Sequence, residues 1–141
     1  MTKDLEKRLS EEFPNLYKDI YGPMDKTCMH WGLECGDGWF DLIWRLSGKL
    51  ESLIVEWMKQ NLHISIPRTV QVKEKFGTLR FYMENGTNEM CKLIYEAEEE
   101  SSKVCELCGK EGKLYGDGWL STLCDDCIEK RKMKNVKHVK I

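Results

Sequence analysis

Four of the chain's seven cysteines fall in two Cys-x2-Cys pairs, Cys105/Cys108 and Cys124/Cys127, with fifteen residues between Cys108 and Cys124. A Cys-x2-Cys step lets the backbone bend back until both sulfurs face one point. Two such pairs at this separation supply the four thiolates of a structural zinc site. Gly109 and Lys110 suit the bend after Cys108, because glycine tolerates the positive φ that a knuckle needs. Residues 114–115 and 119–123 read as the arms of a short hairpin tipped by Gly116, Asp117 and Gly118. Cys124 and Cys127 have the spacing of a first helical turn, which residues 128–136 continue. The positive end of a helix favours thiolates.

Knuckle, hairpin and helix in that order resemble the treble-clef zinc fingers. A zinc ribbon, with its second pair on another knuckle, is the alternative. Four thiolates fill a tetrahedral sphere and leave no position for water, so one zinc ion here serves folding rather than catalysis. A treble-clef nuclease needs a histidine in the hairpin, and residues 113–123 hold none. The zinc-deaminase pattern, the P-loop, the H-E-x-x-H helix and the nucleophile elbow are absent as well.

The first hundred residues predict an α+β domain of two long helices packed on a small antiparallel hairpin. Residues 2–13 read as a short helix with Leu5, Leu9, Glu12 and Phe13 on one face, stopped by Pro14. Residues 14–38 are rich in glycine and aromatics and read as a packed-down loop. A helix capped by Asp37 follows and ends near Asn61, with Leu42, Leu46, Leu50, Leu53 and Trp57 as its stripe, widened by Ile43, Ile54 and Met58. Residues 69–83 alternate as a hairpin turning at Gly77. Residues 88–102 predict another helix, with Cys91, Ile94, Tyr95 and Glu98 to one side and Met90 and Ala97 nearby. The expected division is 1–102 for this domain and 103–141 for the finger and its basic helix or tail. Gly36-Asp37-Gly38-Trp39 recurs as Gly116-Asp117-Gly118-Trp119, which we read as turn chemistry rather than a repeat.

Three further constellations bear on function. Cys28, His30 and Cys35 are candidates for a second metal site, against the plainer reading of unligated cysteines and a packed histidine. Lys73, Lys75 and Arg80, with Tyr82 and Gln71, make a candidate nucleotide- or nucleic-acid-binding face; a solvated sheet face is the plainer reading. Lys130, Arg131, Lys132, Lys134, Lys137 and Lys140 give residues 128–141 a charge of +5, leaving −7 elsewhere, partly in Glu96, Glu98, Glu99 and Glu100. Such a tail contacts a nucleic-acid backbone, balances the thiolate centre and the acidic stretch before it, or is simply solvated. The overall charge of −2 argues against a dedicated DNA binder. No signal peptide or membrane-length apolar run is visible, so a cytoplasmic protein with reduced cysteines is expected.

Glu34-Cys35-Gly36-Asp37-Gly38-Trp39, residues 72–82 (VKEKFGTLRFY), Cys105-Glu106-Leu107-Cys108-Gly109 and residues 119–124 (WLSTLC) together carry a wider likeness. The chain resembles, from about residue 24 to 127, a family of small uncharacterised proteins of phages, prophages and bacteria with a C-terminal four-cysteine zinc finger. The resemblance implies a phage accessory protein acting inside a bacterial host cell. Proteins of that kind bind and disable a host defence component or sequester its nucleotide signal, an anti-defence role. The expected function is thus non-catalytic binding of a macromolecular partner, most readily a protein. A nucleotide or nucleic acid on the basic hairpin face and tail is the alternative. A metal-dependent enzyme built around His30, Cys35 and Asp37 is the least supported, since no nucleophile–base pair is legible.

Overall fold

In the computed structural model, which describes residues 1–139, the chain is α+β, with four α-helices, a three-stranded sheet and a separate two-stranded hairpin. The elements are α1 (Lys3–Glu12), β1 (Leu33–Glu34), α2 (Phe40–Gln60), β2 (Arg68–Lys75), β3 (Thr78–Glu84), α3 (Asn88–Ser101), β4 (Lys113–Tyr115), β5 (Ser121–Leu123) and α4 (Asp125–Val139).

Helix α2 is the spine. Leu42, Ile43, Leu46, Leu50 and Ile54 form its buried stripe, while Leu53, Trp57 and Met58 are only partly covered. The stripe also holds Ser47, whose hydroxyl meets the buried Tyr17 hydroxyl at 2.6 Å. Burial pushes the Tyr17 phenol well above its ordinary range. A short 3-10 turn, Asp37–Trp39, precedes the helix, and Asp37 does not cap it. Its carboxylate instead accepts from the Thr2 backbone N–H at 2.7 Å, tying the start of α1 to this turn.

Helix α1 buries Leu9, and Phe13 just beyond it is buried too; the expected Glu12 is exposed. The inward acid is Glu6, 3% exposed, whose carboxylate accepts from the Leu33 N–H and the Tyr21 hydroxyl. A buried carboxylate is tolerated only with such partners. Glu51 of α2 has a similar role on the long loop: it accepts from the Asn15 backbone N–H (2.9 Å), the Asn15 side-chain amide (3.1 Å) and the Leu16 N–H (2.9 Å). Leu16, Tyr17 and Met29 thereby sink into the core. The loop is packed down, as its aromatics and glycines suggest.

The sheet runs β1-β2-β3, and here the structure departs from a purely antiparallel sheet: β1 joins β2 in parallel, with Leu33 opposite Val72. Strands β2 and β3 meet through Phe76 and Gly77, both at positive φ (53° and 85°), the conformation of a type I′ hairpin turn. Phe76 therefore sits exposed at the tip rather than alternating with the strand. Val72, Leu79 and Phe81 face the core.

Helix α3 opens on Thr87, whose hydroxyl accepts from the Met90 N–H. Its buried face is Met90, Ile94, Ala97 and Ser101, so Cys91 and Tyr95 point outward, a rotation from the expected face. The reason lies in the sheet edge. Ser101 Oγ accepts from the Leu79 N–H (2.9 Å), and Glu98 accepts from the Phe81 N–H (3.0 Å). The helix thus satisfies the open edge of β3, and small residues at 97 and 101 allow that approach.

Trp39 is fully buried where α2, the loop and the following module meet, and its indole N–H donates to the Val104 carbonyl at 2.8 Å. Removing a buried tryptophan strips both packing and this bond. Trp39→Ala is expected to cost about 3–5 kcal/mol in urea unfolding; a loss below about 1 kcal/mol would contradict this packing.

Candidate metal centre

The C-terminal module begins where the chain leaves α3. Cys105 N–H donates to the Lys110 carbonyl (2.8 Å) and Gly109 N–H to the Cys105 carbonyl (2.9 Å), with Gly109 at φ 83°. These bonds close the knuckle that brings Cys105 and Cys108 together. Strands β4 and β5 pair antiparallel, Lys113 opposite Leu123 and Tyr115 opposite Ser121, and β5 delivers Cys124 to the start of α4. Cys127 lies in the first turn of that helix, its N–H directed at Cys124 Sγ (3.4 Å). Knuckle, hairpin and helix follow one another in treble-clef order, within the treble-clef or zinc-ribbon-like class expected.

The four sulfurs of Cys105, Cys108, Cys124 and Cys127 lie within 4.8 Å of one another, the one cluster of metal-ligating side chains among the described residues. Tetrahedral zinc–thiolate bonds of about 2.3 Å separate the sulfurs by roughly 3.8 Å, so the spread is of the right size. Cys105, Cys124 and Cys127 are buried with Leu123 and Ile128, while Cys108 faces solvent. The thiols differ in acidity. Burial pushes Cys105 up, but hydrogen bonds from the backbone of Cys124, Cys108 and Leu107 outweigh it and bring the thiol down to about 7. Burial, together with its sulfur neighbours, pushes Cys127 up to about 12. An all-thiol donor set of this size can hold a metal ion.

The centre is braced against the rest of the chain. Glu106, between the first two ligands, accepts at its backbone carbonyl from the Gly38 N–H (2.8 Å) and at its carboxylate from the Gly36 N–H (2.9 Å). Burial raises the Glu106 carboxyl, and the Gly36 N–H partly offsets this. A Cβ at residue 38 would lie 2.2 Å from the Cys105 carbonyl oxygen, so only glycine permits the contact. On the far side, Thr122 Oγ1 donates to the Gly77 carbonyl at 2.6 Å, seating the β2–β3 turn on the finger's hairpin. Sequence reasoning missed Glu106, Thr122 and the Gly36–Gly38 contact. The one available trace was the unusual glycine density around Trp39. The two Gly-Asp-Gly-Trp strings have different structures: Trp39 is buried, whereas Trp119 is 82% exposed beside a hairpin tip with Gly116 at φ 119° and Gly118 at φ 82°.

The other candidates fall as follows. Cys28, His30 and Cys35 do not converge into a ligand set. Cys28 is exposed, the His30 ring is engaged through Nδ1 with the Gly22 carbonyl (2.8 Å), and Cys35 is buried behind β1. Burial pushes the Cys35 thiol up to about 12. The hairpin register does put Gln71, Lys73 and Lys75 opposite Tyr82, Arg80 and Thr78 on one face. Arg80 spends part of its guanidinium on Thr78 Oγ1 (2.7 Å) and the Leu79 carbonyl (3.0 Å). Lys130, Arg131, Lys132 and Lys134 lie on α4; only the backbone of Lys137 is described, and Lys140 lies outside the described residues. Among the described residues no helix is long and apolar enough to cross a membrane.

No family model, no curated protein and no solved structure matches the chain.

Two outcomes follow from the thiols. Iodoacetamide on the metal-loaded protein should alkylate Cys28 and Cys91 and spare Cys35, which opens only on denaturation; peptide mass spectrometry reading Cys35 as fast as Cys28 would refute its burial. Metal competes with protons for these sulfurs, so affinity is greater at high pH and falls as pH drops. Between pH 8 and 6, zinc affinity measured against a chromophoric chelator should weaken by roughly tenfold or more per unit. A flat profile would argue against thiolate ligation.

Proposed function

We propose that the chain is a non-catalytic binding protein, braced by one structural zinc ion, that acts on a macromolecular partner. One observation carries this reading: four thiol ligands, enough to close a tetrahedral sphere, lie at the joint between the finger and the residues that pack Trp39. A closed sphere at a joint stiffens a surface; it offers no open position for a substrate. The division into 1–102 and 103–141 fits that role, with the zinc module as a rigid appendage to an α+β body. Two tryptophans, Trp31 (64% exposed) and Trp119 (82% exposed), leave large apolar area outside, as a protein-binding surface requires, although Trp39 belongs to the core. The resemblance to small phage and prophage proteins makes a host defence component, met in the bacterial cytoplasm, the partner class we favour.

A second reading has its own support. Lys73, Lys75, Arg80 and Tyr82 share one sheet face, which suits a nucleotide or nucleic acid.

Native mass spectrometry of the protein purified from bacterial cells, without added metal, tests both. The expected result is one zinc per chain and a stoichiometric protein partner that is lost with Cys105→Ala. A co-purified nucleotide removed by Arg80→Ala would favour the second reading. A chain that carries no zinc, or binds its partner equally well after Cys105→Ala, would overturn the first.

A further inference from the structure

Helix α4 carries Cys127, Lys130, Arg131 and Lys134 at the spacing of one helix side. That side borders an open groove of about 450 Å³, with Leu107 of the knuckle across it and Met133 alongside. Leu107 is 52% and Met133 63% exposed, so two aliphatic side chains stand at one groove without cover. Leu107 lies between two ligands, and its backbone is held wherever the cluster is held. Among the described residues Lys130, Arg131 and Lys134 make no ion pair, and Arg131 reaches only the Ser121 hydroxyl, at 3.3 Å.

We infer that this groove takes a short acidic segment of a protein partner. An apolar side chain of that segment sits between Leu107 and Met133, and flanking carboxylates meet Lys130, Arg131 and Lys134. The inference rests on the binding-protein reading and adds to it the surface and the partner's chemistry. The lining favours a peptide over a nucleic acid. Bases need aromatic faces to stack on, and among the described residues none that lines the groove is aromatic. Methionine at the edge adapts to varied apolar shapes, and unpaired lysines and an arginine attract carboxylates. The groove abuts a metal-held knuckle, so binding requires little ordering of this surface.

The test pans a random twelve-residue displayed peptide library against the metal-loaded full chain, with counter-selection on Leu107→Glu. The expected winners are rich in Asp and Glu around one apolar residue. The synthesised consensus peptide should bind at least tenfold more weakly to Leu107→Glu, to Met133→Glu and to a Lys130→Glu/Lys134→Glu double variant, and a lysine-for-glutamate version should recover binding to the double variant. Metal content is read for every variant; if Leu107→Glu loses metal, Met133→Glu, on the exposed side of α4, carries the comparison. Failure to enrich over the counter-selection, basic winners, or equal binding by Met133→Glu would overturn the proposal. So would displacement of the consensus peptide by single-stranded DNA of equal charge, or self-association abolished by Met133→Glu, which would assign the groove to a nucleic acid or to a second copy. A metal-dependent partner that tolerates both Leu107→Glu and Met133→Glu would leave the binding reading standing and remove the groove. A consensus that binds here while no zinc-dependent cellular partner exists would do the reverse.

Discussion

The indole of Trp39 lies in the body's core, yet its N–H is satisfied by Val104, one residue before the first candidate ligand. Gly38 and Gly36 continue the contact along the same stretch of knuckle through both the backbone and the carboxylate of Glu106. The module alone has a very small core of Leu123, Ile128 and three cysteines, with Tyr115 partly covering it. So few apolar groups cannot offset the entropy of ordering some thirty residues, and a chain segment this short needs a metal, a partner surface or both. Here a donor set able to hold a metal ion and the contact surface of the body converge on residues 104–106. Holding the sulfurs together fixes the knuckle, and the knuckle supplies acceptors that the glycine turn and Trp39 would otherwise lack. The Thr122–Gly77 bond adds a second anchor beside the first, since the Thr122 carbonyl also accepts from the Glu106 N–H at 3.0 Å.

The same economy of buried polar groups recurs in the body. Irregular segments and open sheet edges carry backbone N–H groups with no ladder partner, and each must find an acceptor. Glu6, Glu51, Glu98 and Glu106 supply acceptors for Leu33, for Asn15 and Leu16, for Phe81 and for Gly36 respectively. A carboxylate accepts several bonds at once, which suits loop backbone better than a hydroxyl would. Truncating one of these acids leaves buried donors unpaired as well as removing an acceptor, so their loss weighs more than that of a surface ion pair such as Lys7–Glu11.

How much of this was legible depended on whether the determining contacts are local. The four-cysteine centre was, because a Cys-x2-Cys step encodes its own geometry within a few residues. So were α2 and the β2–β3 hairpin, though not its register, since apolar periodicity over many positions averages out single exceptions. The parallel strand β1 was not: two residues carry no period, and the strand exists only because β2, nearly forty residues later, lies beside it. The face of α3 was set slightly too far round, with Met90, Ile94 and Ala97 placed near it but Cys91 and Tyr95 included, because Ser101 is buried for a hydrogen bond and not for hydrophobicity. Glu6 was missed for the same kind of reason, its burial being licensed by Tyr21 and Leu33 from other segments. Cys28, His30 and Cys35 were misleading in the opposite sense. They are near in sequence, but the 3-10 turn Cys28–Trp31 and the following strand send them into different environments.

Charge is divided in kind as well as in amount. Several acids already have partners: Glu98 and Glu106 accept from backbone donors, Glu100 meets Arg45 at the surface, and Asp19 and Glu84 meet Arg68, whose guanidinium is held more firmly protonated by the Asp19 hydrogen bond. At the N-terminal end of α4, Asp125 and Asp126 pair with Lys113 and Lys110 of the finger, the sign that a helix dipole favours there. Further along α4, among the described residues, only Lys132 is paired, with Glu129 one turn back. A divalent ion held by four thiolates would carry a net charge of about −2, and part of the nearby positive charge would balance it. Balance alone needs only cations close to the sulfurs, and it gives no reason for aliphatic side chains to stand beside them in water. The pairing of unspent cations with uncovered Leu107 and Met133 is the feature that charge balance does not explain. A surface built that way lowers its free energy by meeting something both acidic and apolar.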